Sequence, residues 1–490
     1  MKRLIQNLLK VGVVLLVLHL PIGTYAQTSD WLALDQGLCC YDSASCSPVY
    51  DILIDSVDGS LYASGIIGFD GHCNPLRSIG KWDGSTWEAL QDGGEQPISS
   101  SRCSKILTSQ GLLASGPYVD NEEQGEFYYY TNLWDGASWQ AMPDGPNNPA
   151  FEFEWIGDEI YAVGNFDECG GVESGICCVY DGESWYPLEV VPEFSHFSTS
   201  VESYNDQIYI GGLFRFDNSQ GEEIAFLAAH GEEGYEIVGQ GLVNYGFGGV
   251  SSLASYKGKL YIGGQIMLPG SDEEYWLVEY DGNTIQPVEP MPNDEVNNLE
   301  VYNGALYVTG GFTQIGDVEA EHLARYDGEE WIAINADSMF TANYYMDYQF
   351  TGAFEDLEFL NDTLYACGSF FRFNNDTVRG VAKLNKNLTT DFPPPATNTE
   401  EHEFESFNFN LYPNPSPGSL TFSWWQPAAG EVSYRITDAR GRLVEHSPPV
   451  VYQSGKHEEN LSLGHLTAGT YFIRLITPSG VATKPWVRLE

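Results

Sequence analysis

Positive charge is scarce in this chain: 22 Lys and Arg stand against 69 Asp and Glu over 490 residues, a formal net charge of −47. A surface of that sign repels phosphate backbones and anionic lipid, which excludes nucleic acid as a partner. After the first residues no apolar run is long enough to span a bilayer, so the mature chain has no transmembrane segment. No HxH, HExxH or CxxC spacing occurs, and no structural zinc site or resident metal is expected. The 9 cysteines (39, 40, 46, 73, 103, 169, 177, 178 and 367) are an odd number. One thiol must stay free or bond between molecules.

What is present begins with an address. Lys2, Arg3 and Lys10 precede an apolar run ending near Leu20, and "TYA" offers a cut at Ala26/Gln27, so 1–26 reads as a secretory signal. Export makes disulfides plausible. Charge is unevenly spread: 27–404 holds 12 basic and 62 acidic residues, whereas 405–490 holds 7 of each. That shift separates two domains.

An apolar residue, then Tyr or Leu, then small residues and Gly recur at Leu61, Leu112, Ile160, Ile208, Leu260, Leu306 and Leu364, spaced by 51, 48, 48, 52, 46 and 58 residues. A period near 50 points to a propeller. Each unit contains four short alternating segments, which in the sixth are "NNLEVY", "ALYVTGGF", "EHLARY" and "EWIAI". Asn303-Gly304, Asp58-Gly59 and Lys257-Gly258 suit the first hairpin, where central residues take positive φ. Asp-Gly at Asp83, Asp135, Asp181, Asp281 and Asp327 marks the second, and Trp87, Trp139, Trp185 and Trp331 follow it at fixed offset as packing between sheets. The seventh unit lacks a fourth strand, and "WLALDQG" at Trp31–Gly37 copies "WEALQDG" at Trp87–Gly93. The fold class expected is all-β, a seven-bladed β-propeller over 27–390 closed by this N-terminal strand. A Pro-rich, acidic linker follows at 391–406, then a small immunoglobulin-like β-sandwich at 407–490.

The Gly-Gly pairs (Gly211-Gly212, Gly263-Gly264, Gly310-Gly311), followed by aromatic, Asp and Trp, make the units resemble the kelch/galactose-oxidase type of propeller. That resemblance implies a scaffold and no reaction class. No grouping of Tyr, His and Cys here repeats the galactose-oxidase copper site. The tail resembles the C-terminal sorting domain of type IX secretion substrates. "YPNP" (Tyr412, Pro413, Asn414, Pro415), "DARGRLV" with Gly441, "LTAGTYFIRL" with Gly469 and Tyr471, and Lys484 in the last segment match in order. The resemblance implies the type IX machinery as partner and a secreted or outer-cell-surface destination.

The hairpin turns line a plain face, and the long loops emerge opposite, where function concentrates. There Asp337, Tyr344, Tyr345, Asp347 and Tyr348 lie in one loop, and Asp120 and Glu122 in another. Aromatic faces beside carboxylates suit sugar rings, so polysaccharide or glycoprotein is the expected ligand, with aromatic packing the competing explanation. A hydrolase or lyase using an axial pocket, or a structural adhesion protein, are the rivals. No catalytic residue is singled out. Calcium is possible at the acidic loops 120–126 and 217–223, although neither has the alternating spacing of a calcium loop. Cys169 and Cys177, or Cys178 beside it, bracket one loop as disulfide candidates. Cys367, in a strand, is the expected free thiol.

Overall fold

The computed structural model describes 29–489, apart from 40–48, 91–103, 119–128, 190–194, 239–248, 336–338, 341–353, 389–391, 393–409 and further stretches of one to four residues. Among the described residues every regular element is a strand. Seven four-stranded antiparallel sheets follow one another along the chain, and in the first six the strand order is the order in sequence. Their first strands are Val49–Ile54, Lys105–Thr108, Ala150–Ile156, Ser195–Tyr204, Val250–Tyr256, Val296–Tyr302 and Phe354–Leu360. Each first strand packs against the first strands of the sheets before and after it, and the seventh packs against the first. The ring of sheets around an axis is a β-propeller.

The seventh sheet takes its outer strand from the start of the chain: Trp31 pairs with Leu384, Leu32 with Lys383 and Ala33 with Ala382. Trp31 also reproduces a contact made by Trp87 and Trp139. Its indole Nε1 donates to Asn335 Oδ1 at 3.0 Å, just past the outer strand of sheet 6. Trp87 donates to Leu34 O at 3.3 Å and Trp139 to Leu90 O at 3.1 Å, each just past the outer strand of the preceding sheet. These buried rings are the packing between sheets.

Two turn chemistries hold the sheets. In the first hairpins Lys257, Gly258, Asn303 and Gly304 have φ of 47°, 74°, 48° and 76°. The second hairpins differ, because only the glycine is left-handed, for example Gly282 at 92°, and the aspartate acts as a clip. Asp281 Oδ1 accepts from Asn283 N at 2.8 Å and Thr284 N at 2.7 Å, and Asp83, Asp135, Asp181 and Asp327 do the same. The Gly-Gly pairs are explained by close approach. A Cβ on Gly263 would lie 2.6 Å from Val296 Cγ1, where the next sheet begins.

The tail has its own core. Asn410–Tyr412, Ser419–Gln426 and Gly455–Ser462 form one sheet. Leu443–His446, Gly430–Asp438, Gly469–Thr477 and Gly480–Arg488 form the main path of the other. Phe422 and Trp424 from the first meet Ile436, Ile473, Leu475 and Trp486 from the second, all buried.

Candidate functional site

The first strand of a propeller sheet has a free edge at the axis, and its backbone N–H groups need partners there. This sequence supplies them with side chains from the preceding sheet. In six of the seven sheets a β-bulge falls between Val49 and Asp51, Ala150 and Glu152, Ser198 and Ser200, Val250 and Ser252, Val296 and Asn298, or Phe354 and Asp356. A bulge re-aims the next side chain, and here that side chain is always polar. Asp356 Oδ2 accepts from Ile52 N at 3.0 Å, Asp51 Oδ2 from Lys105 N at 3.2 Å, Ser200 Oγ from Leu253 N at 3.0 Å and Ser252 Oγ from Leu299 N at 3.1 Å.

Two residues further along each strand is a second tier, where Glu154, Glu202, Glu300 and Glu358 stand at matching register. Glu202 accepts from Ser203 N at 2.7 Å and Ser255 N at 3.2 Å. Glu358 is held by the N–H groups of Ile54 and Phe359. Glu154 and Glu300 find no hydrogen-bond donor among the described residues. The N–H each would take in the next sheet, that of Ser203 or Phe359, is already held by Glu202 or Glu358.

These tiers line an axial cavity of about 810 Å³, within the size range of ligand pockets. Enclosure by the ring disfavours charge, and neighbouring carboxylates add repulsion. Burial, then the Glu202 charge, push Glu154 up to about 8. Burial, then Asp356, push Glu358 up to about 8, and burial, then Asp51, push Asp356 up to about 7. Glu152 and Glu300 are raised well above the usual range by burial and then by Glu154 and Glu358 respectively. Among the described residues Lys105 is the one basic residue on the lining. It occupies the register where the other sheets carry Ile52, Phe153, Val201, Leu253, Leu299 and Leu357. Its side chain, fully enclosed, is bonded to Asp51 Oδ1 and, at 3.1 Å, to Ser64 Oγ.

Aromatic rings stand at both ends of the same strands. Phe151, near the start of its strand, packs on Phe197 with ring centroids 4.8 Å apart, and Phe197 is 40% exposed. Trp155, near the hairpin end, is 41% exposed and borders the cavity, its Nε1 held by Leu107 O at 3.0 Å.

The sequence pointed elsewhere. Asp337, Tyr344, Tyr345, Asp347, Tyr348, Asp120 and Glu122 lie outside the described residues, as do 1–26, Asn414, Pro415 and Gly441. The signal that finds the axial carboxyls is the first strand read across repeats: "DIL", "EFE", "SVE", "SLA", "NLE", "DLE". Of the sorting residues, Gly469 opens a strand, Tyr471 is buried with its ring 5.7 Å from that of Trp486, Lys484 pairs opposite Ile473, and Tyr412, 42% exposed, ends the first tail strand with Pro413 just after it. The disulfide expectation needs a correction. Cys169 bonds Cys178, and Cys177 is a buried free thiol. Successive side chains of an extended segment point to opposite faces. Cys178 therefore joins Cys169 in one core, while Cys177 joins Tyr161, Val163 and Val201 in the next. Cys367 is likewise free and buried. Among the described residues no group of three or more His, Cys, Asp and Glu is placed to hold a metal ion, and no helix is long and apolar enough to cross a membrane.

Residues 410–488 match the family model of a secretion system C-terminal sorting domain. No curated protein sequence matches the chain. Among solved structures the chain is similar to PorZ, an essential bacterial surface component of the type-IX secretion system of Porphyromonas gingivalis. That likeness has 10% identity over 90% of this chain and 75% of that one, with a TM-score of 0.25. The β-propeller domain of the Trilobed protease from Pyrococcus furiosus aligns at 11% identity over 71% of this chain and 100% of that one, TM-score 0.40. The xyloglucan PUL GH43B protein of Bacteroides ovatus aligns at 10% identity over 91% and 90%, TM-score 0.26. Likenesses this faint carry no weight for function, and the sheet order and ring contacts define the fold. The chain thus joins an all-β propeller to a C-terminal sorting domain of the type IX secretion system, which directs it to secretion or the cell surface.

Proposed function

We propose that this protein is a carbohydrate-binding propeller exported by the type IX pathway, and that it takes polysaccharide or the glycan of a glycoprotein into its axial channel. In this reading the seven sheets are seven kelch-like blades of one closed ring. The signal is 1–26, the propeller 27–390, the linker 391–406 and the immunoglobulin-like sorting domain 407–490. The observation that carries the proposal is the lining itself: carboxyl and hydroxyl groups ring the cavity, with Phe151 and the exposed Trp155 on its wall and Phe197 packed behind Phe151. Polar groups that both donate and accept, flanked by flat apolar faces, match the alternating surfaces of a sugar. The loop residues Asp337, Tyr344, Tyr345, Asp347, Tyr348, Asp120 and Glu122 would then extend the rim on the long-loop face, and calcium at 120–126 or 217–223 would brace it.

A glycan panel screened by thermal shift on the full-length protein tests this, because a ligand selective for the folded state raises the midpoint. A shift abolished by Trp155→Ala, an exposed position on the cavity wall, locates binding at the channel. A shift abolished instead by Tyr344→Ala and Tyr348→Ala locates it at the loops. No shift with any glycan defeats the proposal for the classes tested, and a midpoint lowered by EDTA alone reveals a bound metal.

Hydrolysis is a second reading with its own support. Glu154 and Glu358, held near 8, keep a proton at neutral pH as a general acid must. Shortening of the bound polymer, lost in Glu154→Gln or Glu358→Gln, would make the protein a hydrolase. Retention of full chain length leaves it a binder.

A further inference from the structure

We infer that the axial channel selects glycans bearing free amino groups, and that Glu154 and Glu300 are the residues that receive the ammonium. This rests on the carbohydrate reading above and narrows its ligand class. At the second tier, Glu202 and Glu358 are occupied by backbone N–H groups of their own and the next sheet. Glu154 and Glu300 stand at the same register on Ala150–Ile156 and Val296–Tyr302, border the same cavity, and receive no donor among the described residues. Their lack of a partner follows from register, since the N–H each would accept is taken by its neighbour. Both are half-buried on the cavity wall, and each feels other carboxylates: Glu202 acts on Glu154, and Glu358 and Asp356 act on Glu300.

A half-buried carboxylate crowded by other carboxylates, without a donor or a counter-charge, is costly to ionise. The basic residue of the lining cannot relieve it, because Lys105 is committed to Asp51 and Ser64. A cation from outside can. Among the described residues no metal-holding group is present, so the fitting cation brings its own N–H donors. A primary ammonium offers three, enough to bridge several carboxylate oxygens. The net charge of −47 excludes acidic polysaccharides from the mouth and draws cationic ones in.

Calorimetric titration of the full-length protein with a glucosamine tetramer and its N-acetylated counterpart, at about pH 6 where the amine is charged, tests the inference. The free-amine form is expected to bind at least about tenfold tighter. Glu154→Gln/Glu300→Gln removes that preference without lowering the melting midpoint, since Gln copies the protonated carboxyl. Near neutral pH the wild type releases protons on binding, read as a buffer-dependent enthalpy, and the variant does not. Equal affinity for the two tetramers, tighter binding of the N-acetylated one, or a preference retained in the variant overturns the inference while the carbohydrate reading stands. Binding of a simple diamine with neither tetramer bound overturns the inference, and the carbohydrate reading falls with it only if the whole glycan panel also fails to bind.

Discussion

The aspartates of the hairpin turns and the carboxylates of the axial channel carry the same functional group in opposite surroundings. Asp83 sits in solvent and accepts from Thr86 N and Ser85 N, which hold it down to about 2. Asp356 sits at the axis, where burial and then the Asp51 charge push it up to about 7 despite its hydrogen bonds from Ile52 N and Leu357 N. In the turns, the backbone donors outnumber the costs of ionisation. At the axis the donors run out before the carboxylates do. The turns therefore need an aspartate for structure, whereas the channel carries more carboxylates than its structure uses. In the proposed function, that surplus is where the ligand completes the set.

The comparison can be broken most forcefully at Lys105. Lys105→Leu restores the apolar residue found at this register in the other sheets, yet strands Asp51 against the axis. It should cost about 3–5 kcal/mol in chemical denaturation. Adding Asp51→Ser, the residue type at Ser200 and Ser252, should recover most of the loss, because serine still accepts the next sheet's N–H. A loss that the second substitution leaves unchanged would mean that Lys105 stabilises the ring through something other than Asp51.

A smaller effect comes from the channel acids themselves. Glu154 and Glu358 near 8 and Asp356 near 7 lie above their ordinary values, so the folded chain keeps protons that the unfolded chain releases. Their contribution is full below about pH 4 and is lost as pH rises through about 7 to 8. The melting midpoint of the free protein should fall from about pH 5 to about pH 8.5, and Glu154→Gln/Glu300→Gln should flatten that limb, gaining about 1–2 kcal/mol at its alkaline end. The turn aspartates run the other way. Asp83 is depressed, so its contribution is present above the ordinary carboxylate range and is lost as pH falls toward about 2. Asp281→Ala should have the smallest effect, a midpoint drop of under about 2 °C that disappears in acid. If the double Gln variant steepened the alkaline limb, the opposition between turn and channel would be wrong.

Much of the scaffold was legible because it repeats. The anchors, the Asp-Gly turns and the spaced tryptophans recur wherever the same packing problem recurs, and Trp31 could be matched to Trp87 on sequence alone. The tail could be read from ordered motifs for the same reason. What stayed hidden were the departures from repetition. Glu154 and Glu202 look alike in sequence, and only the register between neighbouring sheets shows that Ser203 N serves one and leaves the other bare. Cys177 and Cys178 are adjacent, and the choice between them depends on which face of an extended segment meets Cys169. The second turns also hid their mechanism, since Asp-Gly there works through the Asp281 type of side-chain clip with a single left-handed glycine. The loop tyrosines, chosen for composition, lie outside the described residues.

A ligand at the axis of the ring is tested by covalent footprinting of carboxyl and aromatic side chains, read by mass spectrometry on the full-length protein with and without a saturating glycan from the panel. Protection of Glu154, Glu300, Phe151 and Trp155 is expected, with Asp83 and Asp281 labelled equally in both samples. Protection confined to 341–353 or to the tail, with the channel carboxyls still reactive, would contradict it.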